Sequence, residues 1–66
     1  MCIREMLDQF DIQGTYCIRA LDDDDYVVLA EGMDFECDHW NIDDEILERK
    51  ITYMFALDNT LIIEVE

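Results

Sequence analysis

The chain contains no proline, only two glycines and only four basic residues. Without proline, Gly/Ser-rich stretches or an internal repeat, there is no linker to divide it. Residues 1–66 are therefore read as a single small domain. A chain of this length buries only about 60% of the surface it exposes when unfolded, so its core is thin. No apolar run is long enough to span a bilayer, and there is no secretory signal pattern. Cysteine is scarce and odd in number. Cys2, Cys17 and Cys37 contain no C-x-x-C pair, which excludes a framework of paired bridges. The chain reads as cytoplasmic, with reduced thiols.

The shortage of cations dominates the electrostatics. Eighteen Asp and Glu stand against four Lys and Arg, giving a formal charge of −14. Nucleic acid and anionic membrane repel such a surface, so direct binding to either is excluded, and basic partners or cations are favoured. Self-repulsion at this density costs stability, and salt relieves it. Mild acidification acts in the same direction until carboxylates needed for helix capping are protonated.

What is present is an apolar pattern covering 52% of residues. It is densest in residues 50–66. Ile51, Tyr53, Phe55 and Leu57 alternate with Thr52, Met54 and Ala56. After Asp58-Asn59, Leu61, Ile63 and Val65 alternate with Ile62, Glu64 and Glu66. Period-two alternation with β-branched and aromatic residues predicts a hairpin, its second strand apolar inside and acidic outside. With no glycine at the turn, the turn type stays open. A lone hairpin is marginal in water, so the rest of the chain must cover its apolar face.

Ile3, Met6, Leu7 and Phe10 recur at helical spacing and predict an N-terminal helix that ends before Gly14 and lies on the sheet. Gly14 opens a strand, Thr15 to Leu21, with Tyr16, Ile18 and Ala20 on one face. Asp22–Asp25 suits an exposed hairpin loop. Tyr26 to Glu31 is the return strand. Its run Val27–Ala30 points to burial on both faces or a central position. Residues 33–40 read as an irregular strand or a loop. Asn41 to Arg49 predicts a short helix capped by Asn41, with acids in the first turn and Ile42, Ile46 and Leu47 inward. The fold class is α+β: about four antiparallel strands, the N-terminal helix on one face, and a second short helix before the C-terminal hairpin.

No catalytic motif accompanies this pattern. Asp22–Asp25 lacks the alternate ligand spacing and internal glycine of a calcium loop. Cys37, Asp38 and His39 group a thiol, a carboxylate and an imidazole, but zinc normally takes four ligands in spaced pairs, and no oxyanion donor or third orienting group is identifiable. Cys37 reads better as a small buried hydrophobe. The carboxylates of so acidic a chain do not single out an acid–base pair. The chain is therefore read as non-enzymatic, with no cofactor or metal. The candidate partner-binding residues are Asp22, Asp23, Asp24, Asp25, Asp43, Asp44, Glu45, Glu48 and Trp40. Trp40, near Phe35 and Met33, is either an interface anchor or a plug at one end of the core.

The stretch D-Q-F-D-I-Q-G at residues 8–14, the acidic hairpin and E-G at residues 31–32 precede D-D-E-I-L-E-R-K-I-T-Y-M-F-A-L-D-N-T-L-I-I-E-V-E at residues 43–66. Together they resemble a group of short acidic proteins encoded by phages and mobile elements of gut Firmicutes. The resemblance implies an accessory role on a mobile element, where small acidic proteins include inhibitors of restriction and CRISPR systems, several of which mimic DNA. It carries no functional residue to this chain.

Two functions of different class follow. In the first, carboxylates including Asp34, Glu36, Asp38, Glu64 and Glu66 present a DNA-like acidic face to a basic partner, such as a nucleic-acid-binding enzyme. In the second, Val27–Ala30 or the edge of the C-terminal hairpin forms a homodimer, and the acid serves solubility. Acid clustered on one face favours the first; an exposed apolar patch favours the second.

Overall fold

The computed structural model of the chain describes residues 1–9, 14–34 and 41–66. Helix α1 spans Ile3–Gln9. Its first bond runs from the Met6 N–H to the Cys2 carbonyl at 3.1 Å. The Glu5 carboxylate turns back to accept the Cys2 N–H at 3.3 Å. This is half of a capping box, with Cys where Ser or Thr would supply the other half. The C-x-x-E spacing was the sequence signal for it. Ile3 and Met6 are buried and Leu7 packs beside them, as the helical stripe predicts; Phe10 lies outside the described residues.

Strand β1 (Thr15–Asp22) and strand β2 (Asp25–Met33) form an antiparallel hairpin. Asp22 faces Asp25, so the turn itself is only Asp23-Asp24, with φ of 48° and 71°. Two successive positive φ values define a type I′ turn, which Asp tolerates better than most residues. At the other end, Gly14 (φ 95°) extends the ladder: the Asp34 N–H donates to the Gly14 carbonyl at 2.8 Å, and the Gly14 N–H donates to Asp34 Oδ1 at 3.3 Å.

β2 is an edge strand, which corrects the expectation of a central or doubly buried one. Val27 and Val28 are both exposed. The uninterrupted apolar run has a different cause. Ile18 faces Ala30 and Arg19 faces Val28, leaving Leu29 as the extra residue of a β-bulge. A bulge puts two consecutive residues on one side, and Leu29 and Ala30 both pack on the core.

Helix α2 is a single turn, Asp44–Leu47, shorter than the sequence suggests. Its cap is Asp43 rather than Asn41: the Asp43 carbonyl accepts the Ile46 and Leu47 N–H groups at 3.0 and 3.2 Å, and the Asp43 side chain makes no capping bond. Ile42, Ile46 and Leu47 do face the core.

Strands β3 (Ile51–Leu57) and β4 (Thr60–Val65) form the C-terminal hairpin. Asp58 and Asn59, with φ of 50° and 63°, make a second type I′ turn. A bulge between Ile51 and Tyr53 takes Ile51 off the face of Tyr53, Phe55 and Leu57 and onto the core. Despite its apolar density, β3 is mostly exposed; β4 holds the buried residues Ile62, Ile63 and Val65.

The sheet order is β2-β1-β4-β3. β1 and β4 are central neighbours and run parallel, from Thr15 against Thr60 to Ala20 against Val65. The sheet is therefore mixed, not wholly antiparallel. β2 ends beside the start of β1 and β3 starts beside the end of β4, at the opposite end of the sheet. Both helices lie on one face. There Ile3, Met6 and Leu47 meet Tyr16, Ile18, Ala20, Ile63 and Val65. Complete burial of Ile3, Ile18 and Ile63 contributes about 1.5–3 kcal/mol each. No described helix is long and apolar enough to cross a membrane.

Candidate functional site

The face opposite the helices is set by the same alternation. β1 sends Cys17, Arg19 and Leu21 to it, β2 sends Tyr26, Val28 and Met33, β4 sends Ile62 and Glu64, and β3 sends Tyr53, Phe55 and Leu57. Tyr53 is 63% exposed, Met33 64% and Leu57 55%. So many large apolar side chains left in water on one sheet face make a patch, not scattered singles.

A charged pair lies in the middle of the patch. Arg19 Nη2 donates to Glu64 Oε1 at 2.6 Å, with both side chains largely covered. The Arg19 guanidinium lies 4.0 Å from the Tyr26 ring centroid and 5.4 Å from that of Phe55. Phe55 meets Tyr53 edge-on at 5.8 Å. Cation–π attraction of this kind adds about 0.5–2 kcal/mol. Arg19 Nε is buried without a hydrogen bond, a cost that the stacking offsets. One arginine thus ties all four strands together: Tyr26, Arg19, Glu64 and Phe55 belong to β2, β1, β4 and β3. Glu64 lies on the outer face as expected, but it is largely covered there, its carboxylate held by Arg19. A lone cation in β1 and a lone acid inside β4 were the available signal.

Beside the pair, a cleft of about 250 Å³ is lined by Leu21, Tyr26, Thr52, Glu64, Val65 and Glu66. A second, of about 270 Å³, lies past Leu21 and Asp22 against Val27, Leu29 and Arg49. Both are smaller than typical small-molecule sites and suit one or two side chains of a partner. Cys17, on the same face, has its thiol pushed up, first by burial and then by the Glu31 carboxylate, with Arg19 opposing.

The acids named from sequence divide between two places. Asp22–Asp25 project from the β1–β2 turn at the Glu66 end of the sheet, all exposed. Of those around α2, Asp44, Glu45 and Glu48 face arginines within the chain. Arg4 Nε donates to Glu48 at 2.7 Å and Arg4 Nη2 to Asp44 at 3.1 Å, while Glu45 lies 3.8 Å from Arg49. Both acceptors raise the Arg4 pKa, Glu48 more than Asp44. Asp43 caps α2 through its backbone. Trp40, Phe35, Glu36, Cys37, Asp38 and His39 lie outside the described residues. Among the described residues, no group of three or more His, Cys, Asp or Glu could hold a metal ion.

No protein-family model matches the chain, and no curated protein or solved structure shows significant similarity to it.

Proposed function

We propose that the chain is a non-enzymatic protein-interaction module whose helix-free sheet face engages a protein with a basic surface. The observation that carries this reading is the composition of that face: Tyr26 on one side and Tyr53, Phe55 and Leu57 on the other flank the covered Arg19–Glu64 pair, with the acidic turn Asp22–Asp25 and Glu66 at one end and Asp34 and Asp58 at the other. Exposed aromatic and aliphatic side chains with a charged rim are the anatomy of a protein interface. An acidic rim selects and steers basic partners. The 250 Å³ cleft between Tyr26 and Glu66 suits the aliphatic stem and cationic head of a Lys or Arg from the partner. A nucleic-acid-binding enzyme is the partner class in which this becomes inhibition, carboxylates standing where phosphates would; a phage or mobile-element origin fits that role.

The test is capture from a bacterial lysate on immobilised protein, at low and high salt. The expected result is enrichment of DNA-binding proteins at low salt. High salt removes it, and so does replacing Asp22–Asp25 by Asn or Tyr26 by Ala. Capture of nothing, or capture indifferent to both the acid and the aromatic changes, overturns the reading.

A further inference from the structure

Of the two sheet edges, one is guarded and one is not. β2 carries Asp25 and Glu31 and the Leu29 bulge, devices that keep strands from pairing edge to edge. β3 reads ITYMFAL, with no charged residue and no proline, in a chain that is 33% charged. Among the described residues its only strand neighbour is β4. In a two-residue hairpin the residues flanking the turn bond each other, so Leu57, Phe55 and Tyr53 turn their backbone groups to β4, and Met54 and Ala56 turn theirs outward. Among the described residues, the outer edge is occupied only at its start, where the Ile51 N–H donates to the Met1 carbonyl at 2.8 Å and Cys2 bridges Lys50.

We infer that β3 is a self-association edge, and that a second copy of this chain pairs with it antiparallel about a two-fold axis in the Met54–Ala56 region. Charge argues for a copy and for this place. At −14 each, two copies repel wherever acid faces acid, and β3 is the strand without acid. The antiparallel arrangement lays the Lys50 end of each strand toward the Asp58 end of the other. Lys50 is the basic residue for which no ion pair is recorded among the described residues. Met1 and Cys2 act as an end stop, confining pairing to Thr52–Leu57. The same two-fold gives an isologous, closed contact rather than an open fibre. The edge is distinct from the helix-free face, so dimerisation neither requires nor excludes a basic partner.

Sedimentation equilibrium of the purified chain, from about 1 to 500 µM and at low and high salt, tests this. A dimer is expected, strengthened by salt because screening relieves acid–acid repulsion; binding of a basic partner weakens with salt instead. Ala56→Pro removes one outward donor without touching the β4 ladder, and Met54→Lys places a charge on the edge. Each is expected to raise the dimer dissociation constant by about tenfold or more, with unchanged circular dichroism. If Ala56→Pro unfolds the chain, Met54→Lys decides alone. A monomer at every concentration and salt, or a dimer that a folded Met54→Lys variant leaves intact, overturns the inference.

Discussion

Arg19 and Glu64, 45 residues apart in sequence, meet at 2.6 Å on the helix-free face, with the Arg19 guanidinium stacked on Tyr26. Because both side chains are largely covered, removing one leaves the other charge poorly solvated. Glu64→Ala is expected to cost about 1–3 kcal/mol in urea unfolding. The double change Arg19→Met with Glu64→Leu is expected to cost less than Glu64→Ala alone, because the apolar neighbours accept an apolar pair. Equal or greater loss in the double variant would show that the pair itself holds the strands together.

Local pattern made most of this fold legible. The alternation in residues 15–21 and 51–65 and the 3–6–7 stripe in α1 mark elements that the structure places within a residue or two. Three features escaped, two of them because they depend on pairings remote in sequence. Nothing in β4 says that it will lie parallel to β1. Bulges at Leu29 and next to Thr52 shift the alternation by one, so faces counted from sequence go wrong for Ile51 and for Val27–Ala30. The Arg19–Glu64 pair needs strand order before it can be drawn. The acidic rim of the candidate site was visible as composition; its apolar side chains on β3 were mistaken for core, because exposure of β3 follows from its place at the edge.

Gly14 holds φ at 95°, and an added Cβ would meet nothing within 4 Å. The cost of substitution is therefore backbone strain alone. Gly14→Ala is expected to lower stability by about 1 kcal/mol, and Gly14→Asn by less, because Asn tolerates the left-handed region. At the other hairpin, Asn59 sits at φ 63° in a type I′ turn; Asn59→Gly is expected to raise stability by up to about 1 kcal/mol. Thermal melts of the three variants check both signs. A Gly14→Ala variant as stable as the parent would mean that the loop relaxes to negative φ.

Burial and the Glu31 carboxylate raise the Cys17 thiol pKa. A group whose folded pKa is raised contributes fully below its unfolded value, about 8.5 for cysteine, and that contribution is lost as pH climbs from there through the folded value. Stability is thus expected to decline above about pH 8.5, and Cys17→Ala to make the decline shallower between about pH 8.5 and 10. Parallel pH curves for parent and variant would remove Cys17 as a cause.

Glu5 works in the opposite direction. Its carboxylate is lowered, first by the Cys2 N–H it accepts, then by the Cys2 thiol and the nearby N-terminal charge. A group whose folded pKa is depressed contributes above its unfolded value, about 4.3 for glutamate, and the contribution is lost as pH falls through the depressed value. Acidification also discharges an overall −14, which relieves repulsion, so at low salt the two effects oppose. Salt separates them: at about 0.5 M the Debye length falls below about 5 Å, repulsion is screened, and the Glu5 loss stands out. Melting temperature at high salt is expected to fall below about pH 4 in the parent and to fall less in Glu5→Gln, which also starts lower at pH 7. Cys2→Ser completes the capping box and is expected to raise the melting temperature, by about 1 kcal/mol of stability. A Glu5→Gln curve that matches the parent at every pH would dissociate helix α1 from the acid sensitivity of the chain.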